Sequence, residues 1–262
     1  MGLRGVPGRP FDGLGAAQGV YAQCSVVQKF GIHVSISAGF LPVSYGGIYR
    51  TPTSVSVLEV VSDSAQDSGA GTGARSLHIE GVDVSGNYLS QAVSLNGTTA
   101  VTVSAPFLRV HSAHITGSGT YATAASASQA GSITIRGLGG GQTWAVLGDG
   151  TTGFARGRSQ IAAYTVPNGK VAYIPRYDMH VEAAKTATVL FFERANILDI
   201  TAPFAPMRII NEVIGASGLV EQTNVVPWGP FTAGTDIGFM AKVLGGAIGA
   251  VAVDFEILLF DA

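Results

Sequence analysis

The chain has 262 residues, one cysteine and a net charge of −2, with 15 Lys and Arg against 17 Asp and Glu. No stripe of Lys and Arg breaks that balance, which excludes the clustered cations that drive phosphate binding, so no nucleic-acid partner is expected. Charged residues are only 12% and hydrophobic ones 47%, against roughly 25% charged in an average soluble domain, so much of the exterior is expected to be covered by neighbouring subunits.

The lone Cys24 cannot form an internal disulfide and reads as a small buried hydrophobe. Residues 1–28 mix Gly, Pro and small side chains with no sustained period and read as an extended arm laid against a neighbouring subunit; Arg4, Arg9 and Phe11 are its candidate contact residues. No apolar core of signal-peptide length follows Arg4 and Arg9.

Strand signals then follow closely. Residues 53–61 alternate with Val55, Val57 and Glu59 on one face, and Leu77 and Ile79 alternate with His78 and Glu80. Residues 92–95 lead into Asn96-Gly97, a pair that favours tight hairpins, with Val101 and Val103 as the expected returning arm. Residues 107–115 and 133–136 complete a first β set around a small-residue loop at 117–131. Gly137 to Gly141 and Asp149-Gly150 mark a break. A second set opens at 161–166, turns at Asn168-Gly169, returns through 171–174, and continues in 188–193, 207–214, 219–226, 237–244 and 251–260. The best membrane candidate, residues 237–253, is interrupted by Lys242 and too short beyond it to span, so no membrane partner is expected. The organisation expected is all-β: an arm at 1–28, a β-sandwich or jelly-roll-like domain at 29–137, a Gly-rich linker at 138–156 and a second such domain at 157–262.

Several stretches together carry a resemblance. They are Val60-Val61-Ser62-Asp63-Ser64-Ala65-Gln66-Asp67 with Gly69-Ala70-Gly71-Thr72-Gly73-Ala74-Arg75, then Ile79-Glu80-Gly81-Val82-Asp83, Val93-Ser94-Leu95-Asn96-Gly97-Thr98-Thr99 and Phe107-Leu108-Arg109-Val110. A later block, Tyr164-Thr165-Val166-Pro167-Asn168-Gly169-Lys170-Val171-Ala172-Tyr173, and the closing Phe255-Glu256-Ile257-Leu258-Leu259-Phe260-Asp261 extend it across residues 50–262. In these the chain resembles a family of tailed-bacteriophage virion structural proteins. The resemblance implies a particle component without enzymatic activity, assembled in the bacterial host cytoplasm and residing in the virion. Its partners would be the major capsid protein or other virion proteins. The long arm and the stretch at 197–228 depart from the family pattern and are where docking is expected.

Catalytic signals are weak by comparison. Gly69, Gly71 and Gly73 follow a strand, but the alternation at 77–80 continues as strand where a phosphate-binding turn needs a helix. Ser217 lacks the spacing of a nucleophile elbow. Glu80 with Asp83, or Glu193 with Asp199, could pair only as a glycosidase couple whose separation the sequence does not give. The five histidines, His33, His78, His111, His114 and His180, match no zinc spacing; His111 and His114 should face opposite sides of a strand, leaving His78 and His111 as the pair to compare if their strands adjoin. No catalytic residue, metal or cofactor is expected. Trp144, beside the Gly-rich break, and Trp228, in a stiff Pro-Trp-Gly-Pro turn before Phe231, are candidate interface anchors. Phe191 and Phe192 should divide between the two faces of their strand, with Phe192 as the interface candidate. The reading is a capsid decoration or cement protein that stabilises the head shell, or alternatively a tail, adaptor or fibre-associated component. Oligomerisation is expected, a trimer being the form in which three sandwiches would share an axis.

Overall fold

The computed structural model describes residues 15, 18–20, 23–121, 128–148, 155–199, 201–245 and 248–262. Within them the strands, in chain order, are β1 (Cys24–Ile36), β2 (Leu41–Pro42), β3 (Leu58–Ser62), β4 (Ala74–Val82), β5 (Tyr88–Ser94), β6 (Val101–Thr102), β7 (Arg109–Ser118) and β8 (Ile133–Gly137). Then come β9 (Thr143–Leu147), β10 (Ala163–Thr165), β11 (Lys170–Val181), β12 (Ala187–Arg194), β13 (Arg208–Ala216), β14 (Gly218–Phe231), β15 (Asp236–Val243) and β16 (Gly249–Asp261). The chain is all-β, as its alternating pattern predicts. No helix among the described residues is long and apolar enough to cross a membrane; of the stretch weighed as a span, residues 237–243 lie on β15 and 249–253 on β16.

Four small antiparallel sheets result, ordered β1-β16-β11-β14, β10-β15-β12-β13, β6-β3-β8-β9 and β5-β4-β7, with β2 added to β15 beside β10. The first two share one core, in which Ile36, Tyr177, Phe191, Phe239, Phe255 and Ile257 are buried. Phe191 stacks on Phe239 with ring centroids 5.0 Å apart. The inward residues of β16 are Val251, Val253, Phe255, Ile257 and Leu259, an unbroken alternation. In β11 the inward set changes phase between Ile174 and Tyr177, where Pro175 interrupts the ladder and the register with β16 shifts. A proline without an N–H is tolerated at such an irregularity. The other two sheets share a second core of Leu58, Leu77, Ile79, Phe107, Ile133 and Trp144. Burying each of these large apolar side chains contributes roughly 1.5–3 kcal/mol before conformational entropy is counted.

The sheets group the chain differently from a division at 29–137 and 157–262. β1 runs antiparallel to β16, from Cys24 opposite Phe260 to Ile36 opposite Gly249, so the two ends of the chain build one half of the molecule. Residues 44–161, carrying the other two sheets, leave and rejoin that half at one point. There Ala162 N donates to Val43 O at 2.9 Å, and Ser44 bridges Ile161. The stretch expected to be an arm therefore ends in a strand from Cys24 onward, while Arg4, Arg9 and Phe11 lie outside the described residues. Cys24 itself is half-buried against the Leu258 cluster, and burial pushes its thiol pKa up. The expected linker holds β9, which pairs with β8 across the Gly137 to Gly141 turn; Asp149-Gly150 lie outside the described residues.

Both Asn-Gly pairs turn the chain without making a hairpin. After Asn96-Gly97, β6 pairs with β3, whereas β5 pairs with β4. Gly97, at φ +60°, donates its N–H to Asp67 O at 2.7 Å. After Asn168-Gly169, β11 joins the sheet of β16 while β10 stays with β15, so this turn crosses between the two sheets of one core.

Gly31 lies where β1 passes over the junction of the two halves. A Cβ there would meet Ala162 N at 2.2 Å and Val43 O at 2.3 Å, both backbone atoms that cannot swing aside. Gly31→Ala is therefore expected to destabilise the protein by about 1–3 kcal/mol, the range for overpacking. A urea midpoint equal to that of the unmodified protein would show that the junction gives way freely.

Candidate functional site

Two regions concentrate polar or apolar groups beyond what the cores need. The first is the seam between the halves. Arg109, at the start of β7, donates from Nε to Asp236 Oδ2 at 3.0 Å, and both side chains are almost fully buried, at 2% and 1% exposure. Asp236 Oδ1 accepts from Thr165 Oγ1 at 2.6 Å and Tyr49 Oη at 3.1 Å. Arg109 Nη1 donates to the carbonyls of Pro52 and Leu108. Burial, and next the Asp236 charge, push the Tyr49 phenol far above its ordinary pKa, so it stays a donor. This network joins β7, β10, β15 and the 49–52 segment.

Beside it, β7 bulges. Ser112 pairs with Glu80 but Val110 pairs with Gly81, so His111 has no partner on β4. Its carbonyl accepts instead from Lys29 Nζ of β1 at 2.6 Å, and its Nε2 accepts from Thr165 N at 3.2 Å. A nitrogen that accepts carries no proton, which places the ring proton of neutral His111 on Nδ1. Burial, then Lys29 and Arg109, hold the His111 pKa well below its ordinary value. Burial, then Arg158, lowers the Lys29 amine to about 7, with Glu80 opposing. His111 also packs on Tyr164 at 4.4 Å. Bulges re-aim side chains in this way, and here the result is a sealed polar joint.

His78, expected to be compared with His111, instead faces His114. The two are direct partners across β4 and β7, with ring centroids 5.3 Å apart. Glu80, two residues from His78 on the same face, receives Ser112 Oγ at 2.5 Å.

The second region is the rim formed by β13 and β14. Among the described residues each pairs on one side only, β13 with β12 and β14 with β11, so each is the last strand of its sheet there. Ile209, Ile214, Leu219 and Val226 are exposed along them, with Phe204 and Met207 just before; Ile214 is 72% and Val226 80% exposed. Unpaired strand edges flanked by apolar side chains are templates for another chain. Ile210, Val213, Val220 and Trp228 turn the other way and pack on the first core.

Of the four residues expected at an interface that the structure describes, three are inside. Trp144 is buried in the second core and Phe231 in the first. Phe192 is buried as well as Phe191, because β12 is covered on both faces from Ala187 to Phe192. Strands buried on both sides read as continuous apolar runs, and the alternation rule fails on them. Trp228 is half-buried and meets Phe191 edge-on at 6.1 Å. The carboxylates weighed for hydrolysis are engaged in structure. Asp83 accepts from Ser85 N and Asn87 N, Glu193 pairs with Arg208 at 2.5 Å, and Asp199 accepts from Thr201 N and Oγ1. Ser217 sits in the turn between β13 and β14.

No family model and no curated protein matches the chain. Among solved structures, one of the infectious bursal disease virus Gt strain aligns over 90% of this chain and 75% of the viral one at 8% identity, with a TM-score of 0.20. So loose a superposition carries no argument about fold or function.

Proposed function

We propose that this chain is a non-enzymatic structural protein of a tailed-phage virion, a capsid decoration or cement protein that stabilises the head shell by contacts with the major capsid protein and with copies of itself. The observation that carries this reading is the β13 and β14 rim, with its exposed Ile209, Ile214, Leu219 and Val226 on two outermost strands. It lies in a chain with only 12% charged residues to keep such a surface apart from its neighbours. It also falls in the 197–228 stretch, where the sequence departs from the resembled family. Each sheet pair with its shared core reads as a β-sandwich of jelly-roll kind, one of them built from both chain ends. Strand addition along the rim would supply backbone hydrogen bonds, and the flanking side chains would supply apolar burial. A trimer is one form such contacts could close into.

The test is occupancy on purified particles. Ile214→Asp combined with Val226→Asp should leave folding stability within about 0.5 kcal/mol, because both side chains are in solvent. The same pair should lower occupancy at least about tenfold, since roughly 1.4 kcal/mol of lost contact suffices. Unchanged occupancy would remove the rim from the account, and a chain that never joins a particle would remove the function. Imaging of labelled particles then assigns position: label on the head shell supports the decoration role, while label at the tail overturns it in favour of a tail or adaptor component.

A further inference from the structure

His78 and Glu80 lie two residues apart on β4, so their side chains leave the same face of the sheet. His114 is directly opposite His78 on β7. Each of the three offers one ligand atom, and these atoms all lie within 4.8 Å of one another. All three residues are half-exposed, so an ion can reach them without the sheet opening. Two imidazoles and a carboxylate converging in this way form a donor set suited to first-row divalent ions such as Zn2+.

Neighbouring hydroxyls hold the would-be ligands in place. Ser90 Oγ on β5 is 2.6 Å from His78 Nε2, and Ser112 Oγ donates to Glu80. The Tyr88 hydroxyl also bonds to Glu80. Burial works to raise the Glu80 pKa but is outweighed by these hydrogen bonds and by the two histidines, so its carboxyl lies below the usual range. Such outer partners fix ligand orientation and commonly change metal affinity by about 10–100-fold.

We propose that His78, Glu80 and His114 form a binding site for one zinc-class divalent ion, clamping β4 to β7 on the face beside the seam. Three protein ligands leave a fourth position of a tetrahedral ion for water or for a side chain brought by a neighbouring subunit. The site is independent of the rim and does not rest on the assembly role.

The experiment uses the full chain without an affinity tag, stripped with chelator and titrated with Zn2+ by calorimetry and with Co2+ by visible absorption. The unmodified protein is expected to take up about one ion per chain and to develop the intense bands of low-coordinate Co2+. His78→Ala and His114→Ala should each weaken binding at least about tenfold, and Glu80→Gln should weaken it in the same direction, while His180→Ala should leave it unchanged. Histidine ring resonances of the unmodified protein give a second reading that needs no variant. Zinc should shift those of His78 and His114 and spare His33, His111 and His180. Absence of uptake, uptake indifferent to His114→Ala, or shifts confined to the other histidines would each overturn the proposal.

Discussion

Asp236→Ala is expected to lower folding stability by about 3–5 kcal/mol, because it leaves the Arg109 guanidinium buried without its counter-charge. Arg109 is 2% exposed and would retain only the Pro52 and Leu108 carbonyls as acceptors. Arg109→Met should cost a similar amount, because it leaves the Asp236 carboxylate buried without its cation. The double variant Arg109→Met with Asp236→Leu should recover most of what either single change loses, as well-packed apolar pairs replace buried ion pairs at little net cost. Urea titration of the four proteins completes the cycle. If the double variant loses the sum of the two single losses, the residues are not coupled and the joint between the halves lies elsewhere.

That joint could not be read from the chain, for a reason that applies widely here. Local pattern specifies which residues form strands and which face each side chain takes, and the all-β class follows from it. It does not specify which strand is the neighbour. The pairing of Cys24 with Phe260 spans nearly the whole chain, and neither segment carries a mark of the other. The Asn-Gly pairs at 96–97 and 168–169 correctly signal reversals, but reversal into the same sheet and crossing to the facing sheet use the same local chemistry. His78 and Glu80 on one face were legible at a spacing of two. Their third member, His114, needed the β4 and β7 register, and the bulge at His111 breaks the parity by which a sequence reader assigns faces beyond it. Trp144, Phe192 and Phe231 misled because large aromatics serve cores and interfaces equally well. The rim residues Ile209, Ile214, Leu219 and Val226 fall within expected strands, and their exposure follows only from β13 and β14 being outermost.

A second large loss is expected for Asp67→Ala, far from the seam. Asp67 is fully buried, and its carboxylate ties the end of β3 and the start of β4 to the loop at 130–131. Oδ1 accepts from Ala74 N at 2.7 Å and Ala130 N at 2.8 Å, while Oδ2 accepts from Ser62 Oγ at 2.6 Å and Gly131 N at 2.9 Å. Alanine would leave three backbone N–H groups without this acceptor, each an unmet donor costing about 1–3 kcal/mol. Water admitted to the vacated space offsets part of that, so the expected loss is about 3–5 kcal/mol, enough to exhaust much of an ordinary domain's stability. Asp67→Asn separates the acceptor role from simple space filling. Its amide oxygen can keep Ala74 N and Ala130 N, and its NH2 can donate to the Ser62 hydroxyl, leaving Gly131 N alone opposed by a donor. Asparagine should therefore fall between aspartate and alanine, losing about 1–3 kcal/mol. Thermal and urea midpoints of the three proteins decide it. If alanine stays within about 1 kcal/mol of the unmodified protein, a loss typical of ordinary substitutions, these segments hold their shape without the carboxylate.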